Sequence, residues 1–288
     1  MTASRPTVPA AAHRAAPVAG HRHYLMCEPV HYTVSYEINP WMDVTRATDT
    51  DLALRQWYEL RQTYLDLGHT VETIEPLEGY PDMVYAANGA TVAGGVVYSA
   101  KFRYTERAAE GPAYQKWFAD RGYVTHTAAE TNEGEGDLLV VGDTLLAGTG
   151  FRTERAAHAE AHDLFGMPVV SLELVDPRFY HLDTALAVLS SDVDAPQVAY
   201  YPPAFSAASQ AVLAERYPDA VLATEQDAVA LGLNAVSDGL HVVVAPAAVD
   251  LAAALTARGY LPIPVDTSEL LKGGGGAKCC TLEIRAAR

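Results

Sequence analysis

The run Gly273-Gly274-Gly275-Gly276-Ala277-Lys278-Cys279-Cys280-Thr281-Leu282 sets a thiol just after four consecutive glycines. Backbone without side chains can approach a ligand closely or take unusual dihedral angles. A cysteine held behind such a loop becomes a nucleophile once it ionises. The same run also fits a flexible loop ahead of two small core cysteines. It is not a phosphate-binding loop, because Lys278 is followed by Cys rather than Ser or Thr. Far upstream, Tyr180-His181-Leu182-Asp183-Thr184 sets a histidine where a loop enters an expected strand. Such a histidine either pairs with a distant cysteine for nucleophilic catalysis or serves the fold alone. Glu133-Gly134-Glu135-Gly136-Asp137 puts carboxylates at another strand mouth, suited to a cationic substrate or to a solvated turn. His158, Glu160 and His162 imitate half a metal site, but Ala159 stands where a zincin needs glutamate. These three are expected on an exposed helical face, and neither a metal nor a cofactor is expected.

The elements that must position these groups alternate between strand and helix. Apolar spacing predicts a helix over 50–67, stopped at Gly68, then a strand at Thr70–Ile74. A hairpin follows, Ala90–Ala93 and Val96–Ser99 around Gly94-Gly95, then a helix near 112–121 and a strand at Tyr123–Thr125. The pattern returns with a hairpin at Leu138–Val141 and Thr144–Ala147, a helix near 153–165 and a strand at Val169–Leu174. Strands at Thr184–Leu189 and Val198–Tyr201, a helix near 206–216 and a strand at Val221–Ala223 make a further round. The last round has strands at Ala235–Ser237 and His241–Val244, a helix near 248–258, and strands at Leu261–Val265 and Cys280–Ile284. A unit of strand, hairpin and helix therefore recurs at intervals of roughly 50 residues, which suggests a repeat architecture. Residues 1–21 read as a loose, flexible tail, and 22–288 as a single domain with no linker dividing it.

Composition narrows the functions. A formal net charge of -16 argues against nucleic-acid binding, which needs clustered Lys and Arg. It can attract a small cation or simply keep the protein soluble. Three cysteines, Cys27, Cys279 and Cys280, give no paired spacing for a disulfide framework and fit a reducing cytoplasm. No apolar run is long enough to span a membrane, and the first twenty residues lack the apolar centre of a secretory signal.

Taken together, the segments resemble the guanidino-group-modifying superfamily of arginine deiminases, dimethylarginine dimethylaminohydrolases and arginine dihydrolases. The resemblance runs from about Tyr24 onward. Ile38-Asn39-Pro40-Trp41-Met42, Asp82 through Asn88-Gly89, Glu133 through Asp137, Gly150-Phe151-Arg152, His181 through Thr184 and the Gly-rich run into Cys279 carry it. It implies an α/β fold, a five-bladed α/β propeller (pentein) of ββαβ-type pseudo-repeats around a polar centre. It further implies a metal-free covalent mechanism, with the Cys279 thiolate attacking the guanidinium carbon and His181 as acid and base. The family pattern selects Cys279 over Cys280. Glu133 resembles the acid that orients the histidine, with Glu135 left as an alternative by an extra residue in the loop. Asp82 resembles a substrate-gripping aspartate, and Arg107 and Arg152 resemble arginines that hold the α-carboxylate. Asn39, Asn88 and Gly273 also fall at expected substrate positions.

Asn88 stands where dimethylarginine hydrolases and deiminases generally carry an acid, and Ala87 where the former carry another; together with Asn39-Pro40-Trp41-Met42 this makes the arginine dihydrolase branch the first expectation. An amide both donates and accepts, so Asn88 can hold neutral citrulline for a second hydrolysis to ornithine, carbon dioxide and ammonia. Asn88 also suits a turn beside Gly89. Dimethylarginine dimethylaminohydrolase is the second expectation, followed by deiminase, amidinotransferase and a non-catalytic arginine binder. The expected partner is a small molecule, arginine or a methylated arginine, and a homo-oligomer stays open.

Overall fold

The computed structural model describes residues 16–285. Most of the expected tail lies outside the described residues. The part inside is bonded to the body, since Gly20 N donates to Asp238 O at 2.8 Å.

The chain begins with β1 (His23–Cys27), α1 (Thr50–Asp66) and β2 (Thr70–Ile74). The Asp49 side chain caps α1 by accepting from Leu52 N at 2.8 Å. Its buried residues Ala53, Trp57, Leu60 and Tyr64 recur every three or four positions, as a helix with one face on a core requires. Next come β3 (Ala90–Ala93), β4 (Val96–Ser99), α2 (Glu110–Ala119) and β5 (Val124–His126). The third round is β6 (Leu138–Val141), β7 (Thr144–Thr149), α3 (Arg155–Phe165) and β8 (Val169–Glu173). The fourth is a short helix α4 (Leu182–Ala185), β9 (Leu186–Ser190), β10 (Gln197–Tyr200), α5 (Ala207–Arg216) and β11 (Val221–Leu222). A five-residue helix α6 (Glu225–Val229) precedes β12 (Val236–Ser237), β13 (His241–Val244), α7 (Val249–Ala257), β14 (Leu261–Pro264) and β15 (Leu282–Glu283).

These strands make five three-stranded sheets with one shared topology. In each, two strands pair antiparallel, and a third lies parallel to the central one after a helical crossover. The first sheet takes its antiparallel edge, β15, from the far end of the chain. The leading strands of successive sheets also pack on one another: β15 on β3, β3 on β6, β6 on β9, and β9 on β12. Buried on both faces, β3 and β6 are apolar at nearly every position rather than alternating.

The structure departs from the sequence reading most at three elements, one of them the closing strand, expected over Cys280–Ile284 and formed only by Leu282–Glu283. The expected strand from Thr184 begins only at Leu186, after the turn α4. Asp137 Oδ1 accepts from Leu182 N at 3.0 Å and Thr184 Oγ1 donates to His181 O at 2.7 Å, which holds that turn helical. α6 went unread, although Thr224 and Asp227 form a capping box at its start. No helix among the described residues is long and apolar enough to cross a membrane.

Candidate active site

Each of the five units sends a polar group inward from the segment that enters its leading strand. Asp82 and Asn88 precede β3, Glu133 precedes β6, and His181 and Asp183 lead into β9. Asn234 precedes β12, and Cys279 precedes β15. The segments meet directly. Ala87 N donates to Cys279 O at 3.0 Å, His181 Nε2 lies 2.8 Å from Glu133 Oε2, and Cys279 Sγ lies 3.3 Å from Asp183 Oδ2.

Cys279 is 2% exposed. Its sulfur accepts from Asn234 Nδ2 at 3.0 Å and donates to Asp183 Oδ2. Burial, and then the facing Asp183 carboxylate, push the thiol well above its ordinary pKa. Both influences favour the neutral thiol. Cys279 and Cys280 both belong to the apolar cluster that includes Tyr24, Trp57 and Tyr64, and it is the Cys279 sulfur that bonds Asn234 and Asp183. The Gly-rich loop can lie here because it lacks side chains: a Cβ on Gly275 would sit 2.4 Å from the Tyr85 ring.

His181 and Glu133 are both buried, and Arg152 Nη1 donates to Glu133 Oε2 at 3.0 Å. Burial raises the Glu133 carboxyl, but Arg152 and the His181 hydrogen bond outweigh it and hold the group well below the carboxylate range. An ionised Glu133 makes Nε2 the protonated nitrogen of His181 and leaves Nδ1 to face the site. Glu135 points elsewhere, onto Lys278 Nζ at 2.7 Å and onto Arg285. Of the two glutamates, only Glu133 meets the histidine.

Four buried atoms of this cluster have no partner: Asp82 Oδ1, Asn88 Nδ2, His181 Nδ1 and Asp183 Oδ1. Left unsatisfied, each such group costs about 1–3 kcal/mol, and charged ones cost more. Burial raises the Asp82 carboxyl, against the pull of Arg107, and brings Asp183 to about 6, against the pull of His181. Asn88 Nδ2 and His181 Nδ1 converge on Gly136, whose Cβ, if present, would lie 2.5 and 3.1 Å from them. A side chain there would fill the space between these two nitrogens.

Arg107 explains how Asn88 is turned. Its Nη1 donates to Asn88 Oδ1 at 2.8 Å, and a guanidinium has no acceptor, so the amide must present its NH2 to the site. The remaining Arg107 bonds go to Glu110 Oε1 (3.0 Å) and Oε2 (2.7 Å) and to Asp82 O (3.1 Å). Four of its five N–H groups are thus committed inside the protein. Arg152 spends fewer, on Glu133 and on Ile38 O at 2.8 Å, and lies between the Tyr104 and Tyr180 rings. Of the two arginines expected to hold a carboxylate, Arg152 has N–H groups to spare.

The 36–42 loop closes over this cluster. Tyr36 OH donates to Asp82 Oδ2 (3.0 Å), Asn39 Nδ2 to Gly273 O (3.0 Å) and Trp41 Nε1 to Arg178 O (2.7 Å). Asn39 and Gly273 therefore tie loop to loop. A cavity of about 730 Å3 lined by Arg22, Asp238, Glu283 and Arg285 includes none of the clustered residues.

The sequence reading missed Asn234, Glu110 and Tyr36, and quoted Asp183 without a role. Asn234 had one available signal, its place just ahead of a leading strand, where the other units carry their polar groups. The exposed face expected at His158 is corrected. His158 is 4% exposed, with Nδ1 2.8 Å from Ser171 Oγ and Nε2 3.0 Å from Gly148 O, because that side of α3 packs on β7 and β8. Glu160 likewise receives Ala129 N, Glu130 N and Tyr98 OH.

No family model matches the chain. It is 57% identical over 263 residues to an N(G),N(G)-dimethylarginine dimethylaminohydrolase of Mycobacterium tuberculosis, covering 91% of this chain and 86% of that protein. It is 37% identical over 267 residues to the bifunctional arginine dihydrolase/ornithine cyclodeaminase ArgZ of Synechocystis, covering 90% of this chain but only 37% of that protein. The crystal structure of the ArgZ N-terminal domain, a cysteine-to-serine variant bound to substrate, superposes with a TM-score of 0.86 at 35% identity over 92% of this chain and 98% of that one. The dimethylarginine hydrolase of Pseudomonas aeruginosa, bound to citrulline, shares the fold at a TM-score of 0.76 and 19% identity over 91% and 99% of the two chains. The fold and the thiol, imidazole and carboxylate cluster define a cysteine hydrolase of the α/β class. The chain belongs to the guanidino-group-modifying superfamily that contains these relatives.

Proposed function

We propose that this chain hydrolyses the guanidino group of a methylated arginine, releasing an amine and citrulline. The observation that carries the reaction class is the pairing of a buried thiol with unpartnered carboxylate oxygens. Asp82 Oδ1 and Asp183 Oδ1 lack donors, and a guanidinium supplies only donors. Its positive charge also offsets Asp183, so that Cys279 gives its proton to the free His181 Nδ1 and the thiolate forms beside an imidazolium. The thiolate then bonds to the guanidinium carbon, and the carbon–nitrogen bond to the departing amine breaks. His181 gives that amine its proton, and the ionised Glu133 steadies the imidazolium. Water next attacks the thiouronium carbon and loses a proton to His181; the carbon–sulfur bond breaks, returning the thiolate. Arg152 serves the α-carboxylate, and Asn39 and Gly273 help form the wall of the substrate space. The five units are proposed to close around this site as the blades of a propeller, one domain over 22–288.

The sequence alone put arginine dihydrolase first, on Ala87-Asn88. The 57% relative, a dimethylarginine hydrolase, supports the methylated substrate better than the 37% relative supports dihydrolysis. The dihydrolase reading stays second because the outward Asn88 NH2 matches a ureido oxygen, which citrulline has and arginine lacks. Incubation with arginine, monomethylarginine and asymmetric dimethylarginine, with amines and amino acids identified by mass spectrometry, separates the two. Methylamine or dimethylamine with citrulline supports the first reading, and ornithine with two ammonia per arginine supports the second.

A further inference from the structure

We infer that Asn234 is a positioning residue that holds and stabilises the Cys279 thiolate. This inference rests on the proposed nucleophilic role of Cys279. Asn234 is 1% exposed and uses both ends of its amide. Oδ1 accepts from Gly276 N and Cys279 N, each at 3.0 Å, which fixes the end of the Gly-rich loop. Nδ2 donates to Asp183 O at 3.1 Å and to Cys279 Sγ at 3.0 Å.

The two side chains on the sulfur act oppositely. Asp183 accepts the thiol proton and repels the thiolate left behind. The Asn234 N–H keeps its bond when the proton leaves and strengthens it, since bonds to ionised acceptors are the stronger kind. Asn234 cannot flip without turning a carbonyl oxygen onto the sulfur and an NH2 onto two backbone N–H groups. The fifth unit thus supplies the donor that the first unit's thiolate needs.

Asn234→Asp separates this role from loop support, because its carboxylate still accepts from Gly276 N and Cys279 N but no longer donates to sulfur. Wild type, Asn234→Asp and Asn234→Ala are treated with iodoacetamide across pH 6–10 (about one-unit steps suffice), with Cys279 labelling followed by peptide mass spectrometry. The expected result is an alkylation profile moved up by about one pH unit or more, with about tenfold less thiolate at neutral pH. The kcat falls in parallel, while KM stays within about threefold. A profile at the wild-type position in either variant that melts like wild type overturns the inference, even if turnover falls. Cys279→Ser is run beside them. Retained turnover in that variant sinks the nucleophile assignment itself, whereas its loss beside an unmoved alkylation profile sinks only the role of Asn234.

Discussion

Glu133 and Glu135 stand two residues apart in one loop, both fully buried, and face opposite surroundings. Glu135 accepts from Lys278 Nζ, Arg285 Nη1 and Glu283 N, and these partners pull its carboxyl down against burial. Around Glu133 the charges are only partly matched: Asp82, Asn88, His181 and Asp183 each keep an atom without a partner. A buried network with its hydrogen bonds made needs no ligand and serves the fold, whereas one left open keeps a place for something to bind. The contrast supports a structural role for the Glu135 side and the proposed chemistry for the Glu133 side. It also explains why two similar carboxylates in one motif cannot exchange roles.

The largest effect on the open side is expected at the thiol. Cys279→Ser should lower turnover on the order of a thousandfold or more, while Cys280→Ser, a core position, keeps most of it. A dead Cys280 variant beside an active Cys279 variant would reverse the two assignments. His181→Ala should cost about 10²- to 10⁴-fold in turnover and still bind arginine by calorimetry. Near wild-type rates would remove it from proton transfer. On the closed side, Glu135→Gln should destabilise the fold by about 3–5 kcal/mol in urea, because Arg285 and Lys278 lose their buried partner. The folded fraction should turn over nearly normally, and a stable but inactive variant would break the comparison.

Two smaller effects sharpen it. Asn88→Asp exchanges the free NH2 for an acceptor, which favours a guanidinium over a ureido group. If the wild type makes any ornithine, this variant should shift its products towards citrulline by about tenfold, the equivalent of about 1.4 kcal/mol. Unchanged partitioning would remove Asn88 from product choice. The sign of the pH effect follows from Asp183, whose folded pKa is raised to about 6. Above that value the carboxylate is ionised and attracts a cation; below it the attraction is lost. Arginine binding to Cys279→Ser should therefore weaken as pH falls through 6, followed by calorimetry, and an affinity flat across that range would contradict the role of Asp183. For the free protein the same shift favours folding below the unfolded value of 3.8, a contribution lost as pH rises through about 6.

Local signals were legible in the sequence and long-range ones were not. The turn at Gly94-Gly95 and the spacing of Trp57, Leu60 and Tyr64 reported hairpin and helix directly, because each depends on neighbours along the chain. The recurrence of such units pointed to a repeat architecture, and the number five came from the family resemblance. Cys279, His181 and Glu133 were singled out through the order of their motifs, and the structure brings them into one cluster. Asn234 lies 45 positions from the sulfur it bonds, and no nearby pattern marks it. The orientation of Asn88 depends on Arg107, 19 positions away. His158 was misread for a similar reason: its exposure is set by β7 and β8, not by its own helix.

The central claim is that Cys279 carries the amidino carbon during turnover. Enzyme mixed with asymmetric dimethylarginine or monomethylarginine, quenched in acid within the first turnovers and digested, allows each cysteine peptide to be weighed. The account predicts a thiouronium adduct on Cys279 that disappears as citrulline accumulates. An adduct on Cys280 or Cys27, or turnover with every cysteine unmodified throughout, would contradict it.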